Sequence, residues 1–479
     1  MLLVGRAGAA YLKPPRPSRF HNTFSIKYSK KEQLLYGVAL FEEKYFLLTK
    51  CKKNLRGRDK NSILHQNTHL HAIFCFMKIK RLTISGFCNI RQFDIFLTEF
   101  NALVAPNNYG KSNVLEAIRF AFKFISSSEE ERRSMMSDPS FIPINTAISG
   151  MPFGFGMAFS EADGDDEETY SYSFSFEWAK NNGELGAYIT GESLVEDFKE
   201  YRRPHTLVRR SEHDGGYYVP SVTGRCNKRA NANDTQLVID ILNSNDGCFF
   251  KHVTAQLKNL GMNMVGTSGF DKQALCQFIY DLKMNLPTKY SLFEDAVLHI
   301  VPNIKSITPT CSRLGLAAGE VPFRIEDAIF DMRINEKSNN QDISISRLSS
   351  GSRRIITIIA EIMKAEMEGS SLIGIEELEN SVHPKLLENM ILLVQSFAEG
   401  ITVVTTSHSP YLVRYLKSSQ LTFGLPTAEG VASFHKLKAS KIKTVVRRAS
   451  AMELSLGEYM FELMLNLKAD SEEITELFD

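Results

Sequence analysis

Apolar residues recur along this chain with two periods, and the changes of period mark its elements. Met77-Lys78-Ile79-Lys80-Arg81-Leu82-Thr83-Ile84-Ser85-Gly86-Phe87 alternates apolar with polar, as a half-buried strand does. Asn101-Ala102-Leu103-Val104 is a short apolar strand, and Val114, Leu115, Ile118 and Phe122 follow at helical spacing. Residues 77–125 therefore read as two strands, a loop and a helix. Tyr170, Tyr172, Phe174, Phe176 and Trp178 alternate with small or polar residues, and Asn181-Asn182-Gly183 turns the chain toward Ala187-Tyr188-Ile189. That is antiparallel text. Residues 234–300 read as mostly helical, through Leu237, Ile239, Ile241 and Leu242, then Leu275, Phe278, Ile279 and Leu282. Strand-like text returns over 322–345. A helix with Ile355, Ile358, Ile359, Ile362 and Met363 on one face precedes the apolar strand Leu372-Ile373-Gly374-Ile375. A helix with Leu386, Leu387, Met390, Ile391 and Val394 precedes the apolar strand at 401–407. Continuous apolar strands alternating with helices predict an α/β fold.

Composition narrows the class without naming a function. At 479 residues, two or three subdomains are expected. No run of about 18 apolar residues predicts a transmembrane helix. The seven cysteines contain no Cys-x-x-Cys, which points away from zinc sites and disulfide frameworks and toward a reducing cytoplasm. Charge is uneven: residues 1–76 hold 14 Lys/Arg against 4 Asp/Glu, a net of +10, so the remainder holds −9 of the overall +1. This basic extension lacks a periodic pattern. Three readings are open: upstream sequence before a natural start at Met77, a basic arm for nucleic acid, or a targeting segment. Residues 202–229 carry seven basic residues, among them Arg209, Arg210, Lys228 and Arg229, set against a solvated loop face or phosphate contact with duplex DNA. The acids between Phe159 and Thr169 read as a solvated hairpin tip.

Candidate chemistry gathers where strands end. Ala105-Pro106-Asn107-Asn108-Tyr109-Gly110-Lys111-Ser112-Asn113 lies between an apolar strand and an amphipathic helix. That context suits a phosphate-binding loop, in which backbone N–H groups and a helix N-terminus face the phosphates of ATP or GTP. Asn107, Asn108, Gly110, Lys111, Ser112 and Asn113 are its binding residues. Lys111 would neutralise the β- and γ-phosphates, and the Ser112 hydroxyl would face Mg²⁺. The strand at 372–375 delivers Glu376 and Glu377, one suited to a metal's water shell and the other to taking a proton from water. The third apolar strand ends in His408. Ser349-Ser350-Gly351-Ser352 precedes a helix as an N-cap whose N–H groups can receive a phosphate.

In this order, Lys111, Leu348–Ser352, Glu376–Glu377 and His408 resemble the ABC-type ATPases of the SMC, RecF and OLD class. The likeness is greatest to AAA-named ATPases of phage-defence operons that lack a fused Toprim domain. The resemblance covers 77–479. It implies an ABC-type P-loop NTPase head with an antiparallel β lobe and a helical insert. Ala105–Ser112 would be Walker A, Leu348–Ser352 the signature, Ile373–Glu377 Walker B and His408 the switch histidine. Residues 77–125 and 341–479 would form the head and 126–340 the β-rich lobe and insert, with 1–76 outside. Glu376 would hold Mg²⁺ with Ser112, while Glu377 and His408 would be catalytic. Ser349 and Gly351 would touch the nucleotide of an opposite subunit. The resemblance implies an ATP-sandwich homodimer or higher oligomer, cytoplasmic and off the membrane. It would control an effector or nuclease encoded nearby, in antiviral defence. Three departures stand out: Ala105 replaces Gly, Glu376 replaces Asp, and Leu378 replaces Pro.

Other classes explain less. A RecF-like repair ATPase acting directly on DNA is the alternative. A self-contained nuclease is disfavoured, since only 71 residues follow His408. A GTPase is disfavoured because no Asn-Lys-x-Asp follows the loop.

Overall fold

The computed structural model describes residues 77–161, 169–179, 185–186, 188–197, 203–211, 216–220, 226–231, 235–244, 251–267, 271–313, 328–398, 400–425, 427–466 and 476–478. The basic extension, the acids at 162–168, the Asn181–Gly183 turn, Arg202 and Arg225 lie outside them.

Eight strands form an antiparallel lobe. These are β1 (Met77–Phe87), β2 (Ile90–Phe96), β4 (Phe153–Glu161), β5 (Thr169–Phe176), β6 (Ile189–Asp197), β7 (His205–Ser211), β8 (Gly216–Pro220) and β9 (Cys226–Asn231). Their order is β2-β1-β4-β5-β6-β7-β8-β9. A second sheet of six strands combines β3 (Phe100–Val104), β10 (Met262–Val265), β14 (Leu372–Ile375), β15 (Thr402–Ser407), β16 (Leu421–Leu425) and β17 (Ser433–His435). Its order is β10-β14-β15-β3-β16-β17, parallel except for the antiparallel pairing of β17 with β16. A third, small sheet holds β11 (Ile304–Arg313), β12 (Ala328–Glu336) and β13 (Ile343–Ser344).

The helices, in chain order, are α1 (Lys111–Ser126), α2 (Glu129–Met135), α3 (Val238–Ser244), α4 (Lys251–Lys258), α5 (Lys272–Asn285) and α6 (Pro287–Ile300). Then come α7 (Ser350–Glu368), α8 (Pro384–Phe397), α9 (Pro410–Arg414), α10 (Ile442–Ala451) and α11 (Leu456–Asn466). Among the described residues no helix is long and apolar enough to cross a membrane.

Helix α1 joins the two large sheets because it is apolar on more than one side. Phe124 stacks on Phe174 and Phe176 of the lobe, with centroids 5.1 and 4.9 Å away. Phe120 meets Phe87, Phe153 and Trp178, and the Trp178 indole donates to Gly86 O at 2.8 Å. On another flank Leu115 lies against Gly374 of β14. Each fully buried aromatic here contributes about 1.5–3 kcal/mol by leaving water.

Three features differ from the sequence reading. Residues 77–104 form three strands rather than two, because Cys88 at φ 49° lets the chain reverse into β2. The β-rich lobe and insert expected over 126–340 do not arise from that stretch alone: β1 and β2 join the lobe, and β10 joins the parallel sheet. Inside the expected helical segment, Met262-Asn263-Met264-Val265 is too short to show a period, and only pairing with β14 makes it a strand. The fold is α/β, a mainly parallel six-stranded sheet flanked by helices, with an antiparallel β lobe.

Candidate active site

The parallel sheet brings three chain segments to one edge. β3 runs into the loop before α1, β14 into Glu376 and Glu377, and β15 into His408. Since β15 pairs with both β3 and β14, with Ser407 opposite Val104 and Thr405 opposite Ile375, their C-terminal ends stand level. Side chains and backbone lock the level. Ala105 N donates to Ser407 O at 3.2 Å, Glu377 N to Thr406 Oγ1 at 3.0 Å, and Thr405 Oγ1 to Ile375 O at 2.8 Å. Ligand sites in open α/β sheets lie at such carboxyl edges.

The loop before α1 suits an anion. Gly110 caps the helix with φ 83° and no side-chain hydrogen bond, so the first-turn N–H groups lack the partner a Ser or Asp cap would supply. A side chain at Gly110 would strike Ala432 Cβ at 2.7 Å and Asn89 Oδ1 at 2.8 Å. Ala105 is accommodated because β16 offers Gly424, where a Cβ would come within 2.6 Å of Ala105 Cβ. Lys111 is 7% exposed, and its ammonium donates to Ala105 O at 2.7 Å and Pro106 O at 2.8 Å. Burial lowers its pKa, and the nearby carboxylates of Glu377 and Glu379 oppose that. Asn107, Asn108 and Ser112 are exposed. Asn113 donates instead to Asn89 Oδ1 at 2.8 Å, which ties α1 to the turn between β1 and β2.

Across the sheet edge, His408 Nδ1 lies 3.3 Å from Glu377 Oε1 and 3.9 Å from Glu379 Oε1. Glu377 occupies a left-handed backbone position, φ 45°, a costly geometry for a residue with a side chain. Glu376 Oε2 accepts from Thr267 N at 3.3 Å. Among the described residues Ser112 and Glu376 share no hydrogen bond, and no three His, Cys, Asp or Glu cluster as a metal site. A hydroxyl and a carboxylate are nevertheless the hard oxygen donors that Mg²⁺ takes alongside phosphate and water.

The Ser349–Ser352 turn caps α7, with Ser352 N donating to Ser349 Oγ at 3.1 Å. Among the described residues neither Ser349 nor Gly351 bonds to the loop at 105–112. Gly351 faces the turn after Glu377 instead, where an added Cβ would lie 2.2 Å from Ser381 O.

Two residues outside the predicted set tie these parts together. Arg354 of α7 donates to Gly266 O at 2.8 Å, to Glu377 O at 3.1 Å and to Glu376 O. Burial lowers its pKa against the pull of Glu377, Glu379 and Glu376. Asn89 holds Asn113. Arg354 stands five residues after the Ser349 cap, and that spacing is the only trace of its role in the sequence. Asn89 left none. Of the basic stretch at 202–229, Arg203 and Arg209 are exposed, whereas Arg210 is buried and donates to Gln236 O at 3.1 Å.

Comparison with known proteins finds likenesses at low identity. A stretch of 151 residues, 29% of this chain and 26% of the relative, is 24% identical to the "Retron Ec83 probable ATPase" of Escherichia coli. The matched part thus spans about a quarter of that relative's length. Among solved structures, an SMC head bound to the C-terminal winged-helix domain of ScpA is 14% identical with a TM-score of 0.42, covering 77% of this chain and 99% of that one. A Pyrococcus furiosus SMC head with an extended coiled coil is 10% identical at 0.44, covering 78% and 100%. The family model described as "AAA domain, putative AbiEii toxin, Type IV TA system" matches residues 100–414, which is 315 of 479 residues. The chain belongs to that family.

Proposed function

We propose that this chain is an ATPase that binds ATP with Mg²⁺ at the loop 105–113, hydrolyses it through Glu377, and uses ATP to join two copies head to tail. The observation that carries the reading is the meeting of the uncapped α1 N-terminus, Lys111, Glu377 and His408 at one sheet edge. On binding, the Lys111 ammonium leaves the Ala105 and Pro106 carbonyls for the β- and γ-phosphates, and the first-turn N–H groups of α1 hold the phosphate oxygens. Asn107, Asn108, Gly110 and Asn113 shape that cradle. Ser112 and Glu376 would hold Mg²⁺, which supplies positive charge against the phosphate oxygens. Glu377 takes a proton from the attacking water as the new P–O bond forms and the β–γ bridging bond breaks, releasing ADP and phosphate. His408 orients the Glu377 carboxylate through Nδ1. Ser349 and Gly351, which do not bond their own phosphate loop, face the γ-phosphate held by the opposite subunit, giving a two-fold assembly around two nucleotides.

The same assembly would act as a switch on a partner effector or nuclease in antiviral defence, in the cytoplasm. The retron ATPase among the relatives and the toxin–antitoxin name of the family support that role. Duplex DNA is a further candidate partner, through exposed residues such as Arg203 and Arg209.

Glu377→Gln tests the reading. It should retain ATP, lose turnover by about 100- to 10,000-fold, and accumulate as an ATP-dependent dimer in light scattering. Ser349→Arg should bind ATP and stay monomeric. Normal turnover by the Gln variant would remove Glu377 as base, and an assembly state indifferent to ATP would remove the sandwich.

A further inference from the structure

The hydrolytic scheme uses Glu377 and His408 and leaves the third carboxylate of the same turn without a task. Glu379 has a side chain only 9% exposed. Its Oε1 accepts from Ser407 Oγ at 2.7 Å and from the peptide N–H of His408 at 3.1 Å. Its Oε2 is buried with no hydrogen-bond partner among the described residues. Burial raises its pKa, and the hydrogen bonds from Ser407 and His408 pull the other way. Placing a carboxylate there costs free energy, because water is removed and only one oxygen is repaid. An acid kept at that cost makes its hydrogen bonds to the last residue of β15 and to His408 itself.

The topology explains what those contacts do. Glu379 hangs from β14 and His408 from β15, so the ring and the Glu377 carboxylate reach each other from different strands. The shared ladder stops at Ile375 opposite Thr405. Beyond it, the turn at 376–379 and the chain at 406–408 are joined by two side-chain links: Thr406 Oγ1 to Glu377 N, and Glu379 Oε1 to Ser407 and His408. The second fixes the backbone from which the imidazole projects, and that ring stands 3.3 Å from Glu377 Oε1. We infer that Glu379 is a positioning residue for hydrolysis, holding His408 in register with Glu377 through its Oε1 acceptor; this rests on the roles given above to Glu377 and His408.

The inference separates acceptor from charge. Glu379→Gln keeps the Oε1 acceptor and should hydrolyse ATP within about threefold of the full chain's kcat. Glu379→Ala removes the acceptor, and Glu379→Asp withdraws it by one methylene. Both should lose about 100-fold in kcat, the scale of a small misplacement at a reacting centre, with KM for ATP and the thermal unfolding temperature little changed. The double variant Glu379→Ala/His408→Ala should be no slower than His408→Ala alone, since a residue that acts through another has nothing left to lose.

Steady-state hydrolysis with ATP and Mg²⁺ decides. A Gln variant as slow as the Ala variant assigns the effect to the carboxylate charge and overturns the positioning role. Additive losses in the double variant, or a fully active Glu379→Ala, overturn it as well. Should Glu379→Ala fail to fold, the Asp and Gln pair still separates the outcomes. If Glu377→Gln and His408→Ala both turn over normally, the site assignment itself falls and this inference with it. If those two are dead while Glu379→Ala is active, only this inference falls.

Discussion

The six-stranded sheet and the eight-stranded lobe handle charged groups in opposite ways. In the parallel sheet every residue of β3, β14, β15 and β16 is buried. Its chemistry is therefore pushed off the strands to their carboxyl ends, where Lys111, Glu376, Glu377 and His408 stand. In the lobe, β5 alternates Tyr172, Phe174 and Phe176 inward with Ser171, Ser173 and Ser175 outward, and the inward face packs on α1. Polar groups that enter the lobe interior are paired there: Tyr172 OH donates to Glu192 at 2.8 Å, Val238 N donates to the same carboxylate at 2.7 Å, and the Arg132 guanidinium of α2 pairs with Asp240 of α3. Under the proposed function, the edge of one sheet carries binding and turnover, and the interior of the other carries stability. Substitutions in the two places should separate cleanly.

The sharpest break is Lys111→Ala. It removes the cation placed to meet the phosphates, so ATP affinity should fall below detection in a titration. Thermal unfolding should hold or rise, because a partly desolvated charge is lost. Wild-type affinity in this variant would end the phosphate-loop assignment. Phe124→Ala is the converse. Phe124 is fully buried and stacked on two lobe aromatics, so denaturant unfolding should show a loss of about 3–5 kcal/mol. The ATP affinity of the remaining folded protein should change little. A matching loss of affinity would mean that α1 transmits lobe packing into the loop.

The smallest effect is a pH dependence confined to the lobe. Burial raises the Glu192 pKa to about 7, against the hydrogen bonds from Val238 and Tyr172 and the charge of Arg210. The folded state therefore binds this proton more tightly than the unfolded chain, whose carboxyl titrates near 4.5. Stability from this group is full below about 4.5 and is lost as pH rises toward about 7. Glu192→Gln should flatten that part of the stability curve without moving the pH profile of hydrolysis. A curve of unchanged slope would mean that Glu192 is ionised throughout.

Much of the site's surroundings was legible because it depends on neighbours in sequence. Gly110-Lys111-Ser112 between an apolar strand and an amphipathic helix, two acids after a buried strand, and a serine cap before α7 are all local patterns. Backbone geometry turns each into an element with little help from elsewhere. The alternation of β1 and β5 was legible for the same reason: a period of two reports one buried face.

Only the tertiary structure decided which segments meet. β10 has no period and becomes a strand by pairing with β14. β15 separates β3 from β14, which sets the spacing between the phosphate loop and the carboxylates. Arg354, Asn89 and Glu379 bond to partners 22 to 88 positions away in sequence. Such contacts depend on loop closure and sheet order, which periodicity does not encode. Sequence alone determined where backbone donors, a cation and carboxylates would end their strands. Long-range pairing determined that those ends stand level and face one another.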